Sequence, residues 1–194
     1  MLVILGESGS GKSTLLNRLT EPGARYSKVV TYTTRPMRPY ELDHIDYHFI
    51  SDAEFDMLKE RNFFVEHMDY RGWQYGTAIE DCAGDEKAIV MTPRGLRALR
   101  SCNIPTKSIY LKVDRRSRIK KMLDRGDEID EVWRRDLTDV GRFDGIESEV
   151  DFVIQNPEYC LTPDELKYQV MKLLTPPATN IMPGQLNCFA SMER

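Results

Sequence analysis

Residues 6–13, Gly-Glu-Ser-Gly-Ser-Gly-Lys-Ser, have the composition and spacing of a phosphate-binding loop. They match the pattern G-x-x-x-x-G-K-[S/T], between an apolar run at 2–5 and helical apolar spacing at 12–19. In that context, backbone N–H groups and a helix N-terminus face the phosphates of a nucleoside triphosphate. We expect Lys12 to reach the β- and γ-phosphates, and the Ser13 hydroxyl to bind Mg²⁺. The residues predicted to contact the triphosphate are Gly6, Glu7, Ser8, Gly9, Ser10, Gly11, Lys12, Ser13 and Thr14.

Arg35 and Arg38 form a second candidate site. They lie three residues apart, each beside a proline, in a segment that the prolines keep from being a helix. Guanidinium groups can clamp a phosphate through paired hydrogen bonds, and a kinase of small phosphorylated acceptors needs a second phosphate site facing the first. A solvated basic turn is the other interpretation, and these residues alone leave it open.

The elements that would position these residues follow an alternating pattern. Apolar runs predict core strands, and helical spacing or capping residues between them predict helices, so we expect an α/β fold with a parallel sheet covered on both faces. The segment 35–83 interrupts this alternation and indicates a small β-rich lobe, with a capping box at 51–54 and a hairpin turning near Arg71–Gly72. The predicted core strands are 2–5, 28–33, 87–91, 108–113 and 151–156, the core helices 12–19, 94–101, 115–124, 128–140 and 162–174, and the lobe elements 45–50, 51–62 and 63–76.

Composition limits the classes of function. The chain has 194 residues, of which 41% are hydrophobic and 30% charged, with a formal net charge of −4. This favours a single globular domain and argues against nucleic-acid binding, which needs a basic surface. No run of 18 apolar residues predicts a membrane span, and the N-terminus lacks the basic region of a signal peptide. The four widely spaced cysteines predict reduced thiols in a cytoplasmic protein, which we expect to be a monomer or homodimer.

The segment 33–49 resembles the signature of the guanylate kinase family. It contains Thr-Thr-Arg, a second arginine three residues on, an acidic residue and then Asp-Tyr-His-Phe. The similarity continues, in the family's order, through Phe-Val-Glu-His at 64–67, Tyr-Gly-Thr at 75–77, Arg-Gly at 125–126 and the strand at 151–156. Together with the phosphate-binding loop it covers nearly all of residues 1–174. The resemblance implies Mg²⁺-assisted phosphoryl transfer from ATP to a nucleoside monophosphate, with GMP or dGMP as the expected acceptor.

The same resemblance implies roles for individual residues. Arg35, Arg38, Tyr47 and Tyr75 would bind the acceptor phosphate, and Thr31, Glu66 and Thr77 would face the base. Arg125 and Arg135 would neutralise charge on the transferring group, with Arg134 as an alternative to Arg135. The implied organisation is a P-loop three-layer core at 1–34 and 84–174 with a helical lid at about 124–136, an acceptor-binding lobe at 35–83 and a C-terminal tail at 175–194.

The sequence departs from the family at three places. The Asp-x-Asp that ends the family's third core strand is absent: Met91 and Pro93 stand roughly at those positions, and Thr92 is the only polar side chain there. A methionine at the base pocket would offer a soft, adaptable surface, which leaves open a deoxynucleotide or a modified base as acceptor. His44 replaces a glycine before Ile-Asp-Tyr and resembles the related ribosyl bisphosphate phosphokinases, so a ribosyl bisphosphate is a further alternative. A non-catalytic binding module is a further alternative. Glu7 replaces a proline of the family's loop, and we expect its side chain to face solvent.

Overall fold

The computed structural model describes residues 1–175, so the predicted tail lies outside the described residues except for Thr175. The strands are β1 Leu2–Leu5, β2 Ser27–Lys28, β3 Thr31–Thr33, β4 Tyr47–Phe49, β5 Phe64–Tyr70, β6 Trp73–Ala78, β7 Lys87–Val90, β8 Lys107–Lys112 and β9 Phe152–Gln155. The α-helices are α1 Lys12–Leu19, α2 Asp52–Glu60, α3 Pro93–Ser101, α4 Arg115–Asp124, α5 Ile129–Asp139 and α6 Pro163–Leu174. No helix within this part of the chain is long and apolar enough to cross a membrane.

The core is a five-stranded parallel sheet with the order β2-β7-β1-β8-β9. Successive side chains of a strand point to opposite faces, and β1 shows this directly. Leu2 and Ile4 join a buried cluster that includes residues of α1 and α6. Val3 and Leu5 join a second cluster that includes residues of α3. Helices therefore cover both faces of the sheet, and the predicted α/β class is confirmed.

The predicted strand at 28–33 is in fact two strands in two sheets, so that prediction was wrong. Ser27 and Lys28 pair with β7 in the core, and the backbone N–H of Val29 donates to the carbonyl of Ala88 at 3.0 Å. The chain then leaves the core, and β3 pairs with β4 and β6 instead. A continuous run of residues with high strand propensity does not indicate that its two halves pair in different sheets, because distant segments decide the pairing.

The second sheet has four strands in the order β4-β3-β6-β5. The hairpin predicted around Arg71–Gly72 is present as β5 and β6. Phe64 pairs with Ala78 and Glu66 with Thr77, so β5 contains one extra residue, Val65, between positions whose partners are adjacent in β6. This β-bulge reverses the side-chain alternation, so that Phe64 points to the α2 side while Glu66 shares a face with Thr77.

Local capping explains where three of the helices, α2, α3 and α6, begin. Ser51 and Glu54 form a reciprocal capping box at the start of α2, and Thr162 and Glu165 form another at the start of α6. Both were readable from the sequence. The hydroxyl of Thr92 accepts a hydrogen bond from the N–H of Gly95 and so caps α3, directly after β7.

Candidate functional site

The phosphate-binding loop is held by residues that bond its carbonyl groups. The Arg118 guanidinium on α4 donates to the carbonyl oxygen of Ser8 at 3.1 Å, and the Tyr159 hydroxyl donates to that of Gly9 at 2.5 Å. Gly9 has φ +83°, and a Cβ there would lie 2.9 Å from the Arg118 carbonyl oxygen. The loop geometry therefore requires glycine at this position.

Lys12 is the half-buried cation of this loop. Its ammonium donates to the carbonyl oxygen of Glu7 at 2.8 Å. Burial lowers the pKa of Lys12 to about 8, while the carboxylates of Asp139 and Glu7 oppose that shift. A desolvated ammonium of this kind is stabilised by a phosphate that binds beside it.

The side chain of Glu7 does not face solvent, which corrects our expectation. It is 17% exposed, and its carboxylate lies 4.0 Å from the Arg118 guanidinium. It also contacts Tyr110, and burial together with this carboxylate raises the pKa of that phenol. Glu7 can therefore offer a phosphate its backbone but not its side chain.

Two cavities meet at the loop, and Gly9, Lys12, Ser13 and Arg125 line both of them. The outer cavity, of about 370 Å³, extends along the start of α1 toward the loop after β9. The central cavity, of about 380 Å³, lies between the loop, α5 and the β5–β6 hairpin. The outer cavity is also lined by Ser10, Gly11, Thr14, Leu15, Lys121, Tyr159, Leu161, Thr162, Pro163 and Leu166. The central cavity is also lined by Ser8, Met68, Asp69, Tyr70, Arg134, Arg135, Thr138, Asp139 and Arg142.

The arginines predicted for the lid all line the central cavity, and each is ion-paired. Arg125 bonds Asp127, and Arg135 donates to Glu131 at 2.6 Å. The Arg125 guanidinium lowers the pKa of the Asp127 carboxyl below its ordinary value, and Arg134, followed by Arg135, lowers that of Glu131.

Arg134 has an additional partner. It bonds both Glu131 and the hydroxyl of Tyr70, which lies on the hairpin of the second sheet. Its guanidinium also lies over the Tyr70 ring, 4.9 Å from the ring centre. Arg134 therefore ties α5 to the hairpin, whereas Arg135 pairs with carboxylates of its own segment.

One face of the second sheet collects most of the predicted acceptor residues. Strand register places Thr31 beside Tyr47, and Glu66 beside Thr77. Tyr75 pairs with Thr33 on the same face. The rings of Tyr47 and Tyr75 are 6.1 Å apart. Residues from four strands therefore meet on one surface.

Arg35 and Arg38 lie at the edge of this face and share one carboxylate. The Arg35 guanidinium bonds Glu41 at 2.7 Å and sits 5.5 Å from the centre of the Tyr47 ring. Glu41 is 9% exposed, and it also accepts the backbone N–H of Arg38 at 2.9 Å. The side chain of Arg38 is 56% exposed. Glu41 thus fixes the backbone between the arginines and orients Arg35, while the largely exposed guanidinium of Arg38 lies 3.9 Å from the same carboxylate.

Glu66 packs against the beginning of α3. A Cβ built on Gly95 would lie 2.7 Å from a carboxylate oxygen of Glu66, so the absence of a side chain at Gly95 makes room for it. Desolvation raises the pKa of Glu66, and the nearby Arg94 opposes this. Glu66 is half-buried, and its neighbour Thr77 is 3% exposed.

Met91 does not offer an open surface for a base, contrary to our expectation. It is 4% exposed and packs in the core cluster with Val3, Leu5 and Leu96. Pro93 is also buried, as the first residue of α3, and Thr92 caps that helix. The end of β7 therefore supports the start of α3, against which Glu66 is placed.

Sequence reasoning missed several residues of the site. Arg118 and Tyr159 hold the phosphate-binding loop, and Asp139 accepts the backbone N–H of Ser8 at 2.6 Å. Arg142 lines the central cavity and makes no ion pair within residues 1–175. Of the residues that hold the site in place, the sequence pattern indicated only Glu41, as the acidic residue after the arginine pair.

The residues present suit Mg²⁺ bound together with nucleotide phosphates. Within residues 1–175, no group of three or more His, Cys, Asp or Glu side chains is arranged to hold a metal ion by itself. The hydroxyl of Ser13, which lines both cavities, combined with phosphate oxygens is an oxygen donor set of the kind that Mg²⁺ prefers.

A phosphate-binding loop on a parallel sheet, with arginines and a second polar sheet across a shared cavity, defines a P-loop nucleoside monophosphate kinase. Comparison with known proteins agrees. The guanylate kinase family model matches residues 1–171. The guanylate kinase of Thermobifida fusca is 31% identical over 186 residues, covering 92% of each chain. That of Photobacterium profundum is 32% identical over 167 residues, covering 82% of this chain and 80% of the relative.

A solved structure shows the same fold. The crystal structure of guanylate kinase from Anaplasma phagocytophilum aligns with a TM-score of 0.64 at 20% identity, over 90% of this chain and 83% of that one. The chain belongs to the guanylate kinase family.

Proposed function

We propose that this protein transfers the γ-phosphoryl group of ATP to GMP or dGMP, giving ADP and the corresponding diphosphate. The observation that carries the proposal is the central cavity. Lys12 and Ser13 of the phosphate-binding loop line it together with arginines of α5 and residues of the β5–β6 hairpin. Family membership supports the same reaction, since the relatives in Thermobifida and Photobacterium are guanylate kinases.

The outer cavity is the proposed site for the nucleoside end of ATP. It is lined by Tyr159, whose ring lies 5.6 Å from the ammonium of Lys121, and by apolar side chains such as Leu161 and Leu166. The loop from Gly6 to Thr14 would bind the phosphates, with Lys12 next to the transferring group. Mg²⁺ would be held through Ser13, and it neutralises negative charge on the phosphates when bound.

The acceptor would bind on the polar face of the second sheet. Arg35, Arg38, Tyr47 and Tyr75 would hold its phosphate, which is already an anion, so the reaction needs no general base to generate the nucleophile. Catalysis then consists of positioning two phosphates and neutralising the charge that develops between them. Arg125 and Arg135 would supply part of that neutralisation.

Guanine would be read by Glu66 with Thr31 and Thr77. A carboxylate can accept from both N1–H and the 2-amino group of guanine, and adenine offers no such pair of donors. A mismatched base leaves the half-buried carboxylate without partners, and sites of this kind discriminate by about 10⁴-fold. The sequence lacks the family's Asp-x-Asp, so in this proposal Glu66 is the principal anion facing the base.

Organisation follows from these roles. We propose that residues 1–34 and 84–174 form the core, that 35–83 form the acceptor-binding lobe and that about 124–136 act as a lid. ATP and the monophosphate are the proposed partners. The free thiols of Cys82, Cys102 and Cys160 are compatible with the cytoplasm as the place of the reaction.

A coupled assay of ADP release tests the proposal with GMP, dGMP, AMP, dUMP and dTMP as acceptors. We expect GMP or dGMP to give the highest kcat/KM. A preference for another acceptor would refute the assignment of the base. No turnover above the ATPase background, combined with weak ATP binding, would favour a non-catalytic binding module.

A further inference from the structure

The strongest unassigned feature of the site is the carboxylate of Asp139. It is the last residue of α5, and its Oδ2 accepts the backbone N–H of Ser8 at 2.6 Å. A carboxylate at a helix C-terminus is disfavoured by the helix dipole. The contact with the loop amide, together with the nearby charge of Lys12, offsets that cost.

The amide that Asp139 occupies belongs to the phosphate-binding loop. N–H groups of this loop are the groups that bind nucleotide phosphates. Ser8 lines the central cavity, beside the α5 arginines, and it is not among the residues lining the outer cavity. The amide of Ser8 therefore faces the end of the site where the terminal phosphate of the donor would lie.

We propose that Asp139 is a specificity-determining residue of the donor site, whose carboxylate competes with the terminal phosphate for the amide of Ser8. ATP must displace this carboxylate to place its γ-phosphate, whereas ADP leaves it in position. Asp139 therefore weakens the binding of ATP relative to ADP. This inference rests on the proposed use of ATP as donor.

Asp139→Ala and Asp139→Asn separate the charge of this residue from its hydrogen bond. Alanine removes both, whereas asparagine keeps an oxygen that can accept from Ser8 without the negative charge. Asp130→Asn is the matched control, because Asp130 is an exposed carboxylate on the same helix that does not line either cavity. Thermal unfolding of each variant verifies that it is folded.

Calorimetric titration with ATP and with ADP, each in EDTA and in Mg²⁺, measures the competition. We expect Asp139→Ala to bind ATP about tenfold more tightly than the wild type, because one like charge beside the terminal phosphate is removed. ADP affinity should change by less than about twofold, Asp139→Asn should fall between, and Asp130→Asn should match the wild type because its charge is screened.

ATP affinity that is unchanged in Asp139→Ala, or that rises no more than ADP affinity, would overturn the inference. A loss of ATP affinity confined to the Mg²⁺ titrations would also overturn it, because Asp139 would then be a metal ligand. These results leave the proposed function intact if the wild type binds ATP and phosphorylates GMP. A wild type that does not bind ATP would refute the proposed function itself.

Discussion

Gly95→Ala should selectively weaken recognition of the guanine base by Glu66. The new Cβ would lie 2.7 Å from one carboxylate oxygen of Glu66, 2.9 Å from its Cδ and 3.0 Å from the other oxygen. These separations are shorter than van der Waals contact, so one of the two groups must move. The carboxylate is the free end of a flexible side chain, whereas Gly95 is fixed within α3, so Glu66 is the group that moves.

The size of the effect follows from the bond that Glu66 would make. A hydrogen bond to a charged group contributes about 1.5–3 kcal/mol, and about 1.4 kcal/mol corresponds to tenfold. We therefore expect kcat/KM for GMP to fall by about ten- to one-hundredfold. The free energy of unfolding should instead rise, because alanine is favoured over glycine in a helix by up to about 1 kcal/mol.

Steady-state kinetics and thermal unfolding of Gly95→Ala would measure these opposite changes. The KM for ATP is the internal control, since Glu66 lines neither of the two cavities that meet at the phosphate-binding loop. In the background Glu66→Ala, the Gly95→Ala change should have little further effect, because the group it displaces is gone. Equal losses for GMP with and without Glu66, or an unchanged KM for GMP in the single variant, would refute the reasoning.

The remaining predictions concern the other proposed roles. Lys12→Ala should abolish turnover while leaving the thermal midpoint unchanged or higher, because it removes a desolvated charge; residual activity above a few per cent would contradict its role. Arg38→Ala should raise the KM for the acceptor and slow transfer without destabilising the fold, since its side chain is largely exposed, and unchanged acceptor kinetics would exclude it from the phosphate clamp. Because desolvation raises the pKa of Glu66, kcat/KM for GMP should fall with acidification from a pH above the ordinary glutamate value, and Glu66→Gln should lose both this acid limb and the preference for guanine. The native state holds the Glu66 proton more tightly than the unfolded chain, so the ionised carboxylate costs stability at neutral pH and Glu66→Gln should unfold at an equal or higher temperature.

Features that were predicted correctly depend on neighbouring residues. The capping boxes at Ser51 and Thr162 involve residues three apart, so the sequence displays them directly. The hairpin turn at Arg71–Gly72 is likewise local. The phosphate-binding loop combines a fixed spacing with a strand before it and a helix after it, and the structure shows both.

Features that were missed depend on contacts between distant segments. Asp139 meets Ser8 across 131 residues, and nothing near either residue indicates the contact. The β-bulge that turns Glu66 toward Thr77 depends on pairing between two strands. The inward direction of Glu7 depends on Arg118 and Tyr110, which come from other elements. Resemblance to a family could suggest which residues form the site, but not how these residues are held.

The most direct test follows the phosphoryl group itself. Wild-type protein would be incubated with Mg²⁺, GMP and ATP labelled at the γ-phosphate, and the products separated. The account predicts labelled GDP and unlabelled ADP in equal amounts, with no transfer by Lys12→Ala. Label recovered as inorganic phosphate, without labelled GDP, would contradict it.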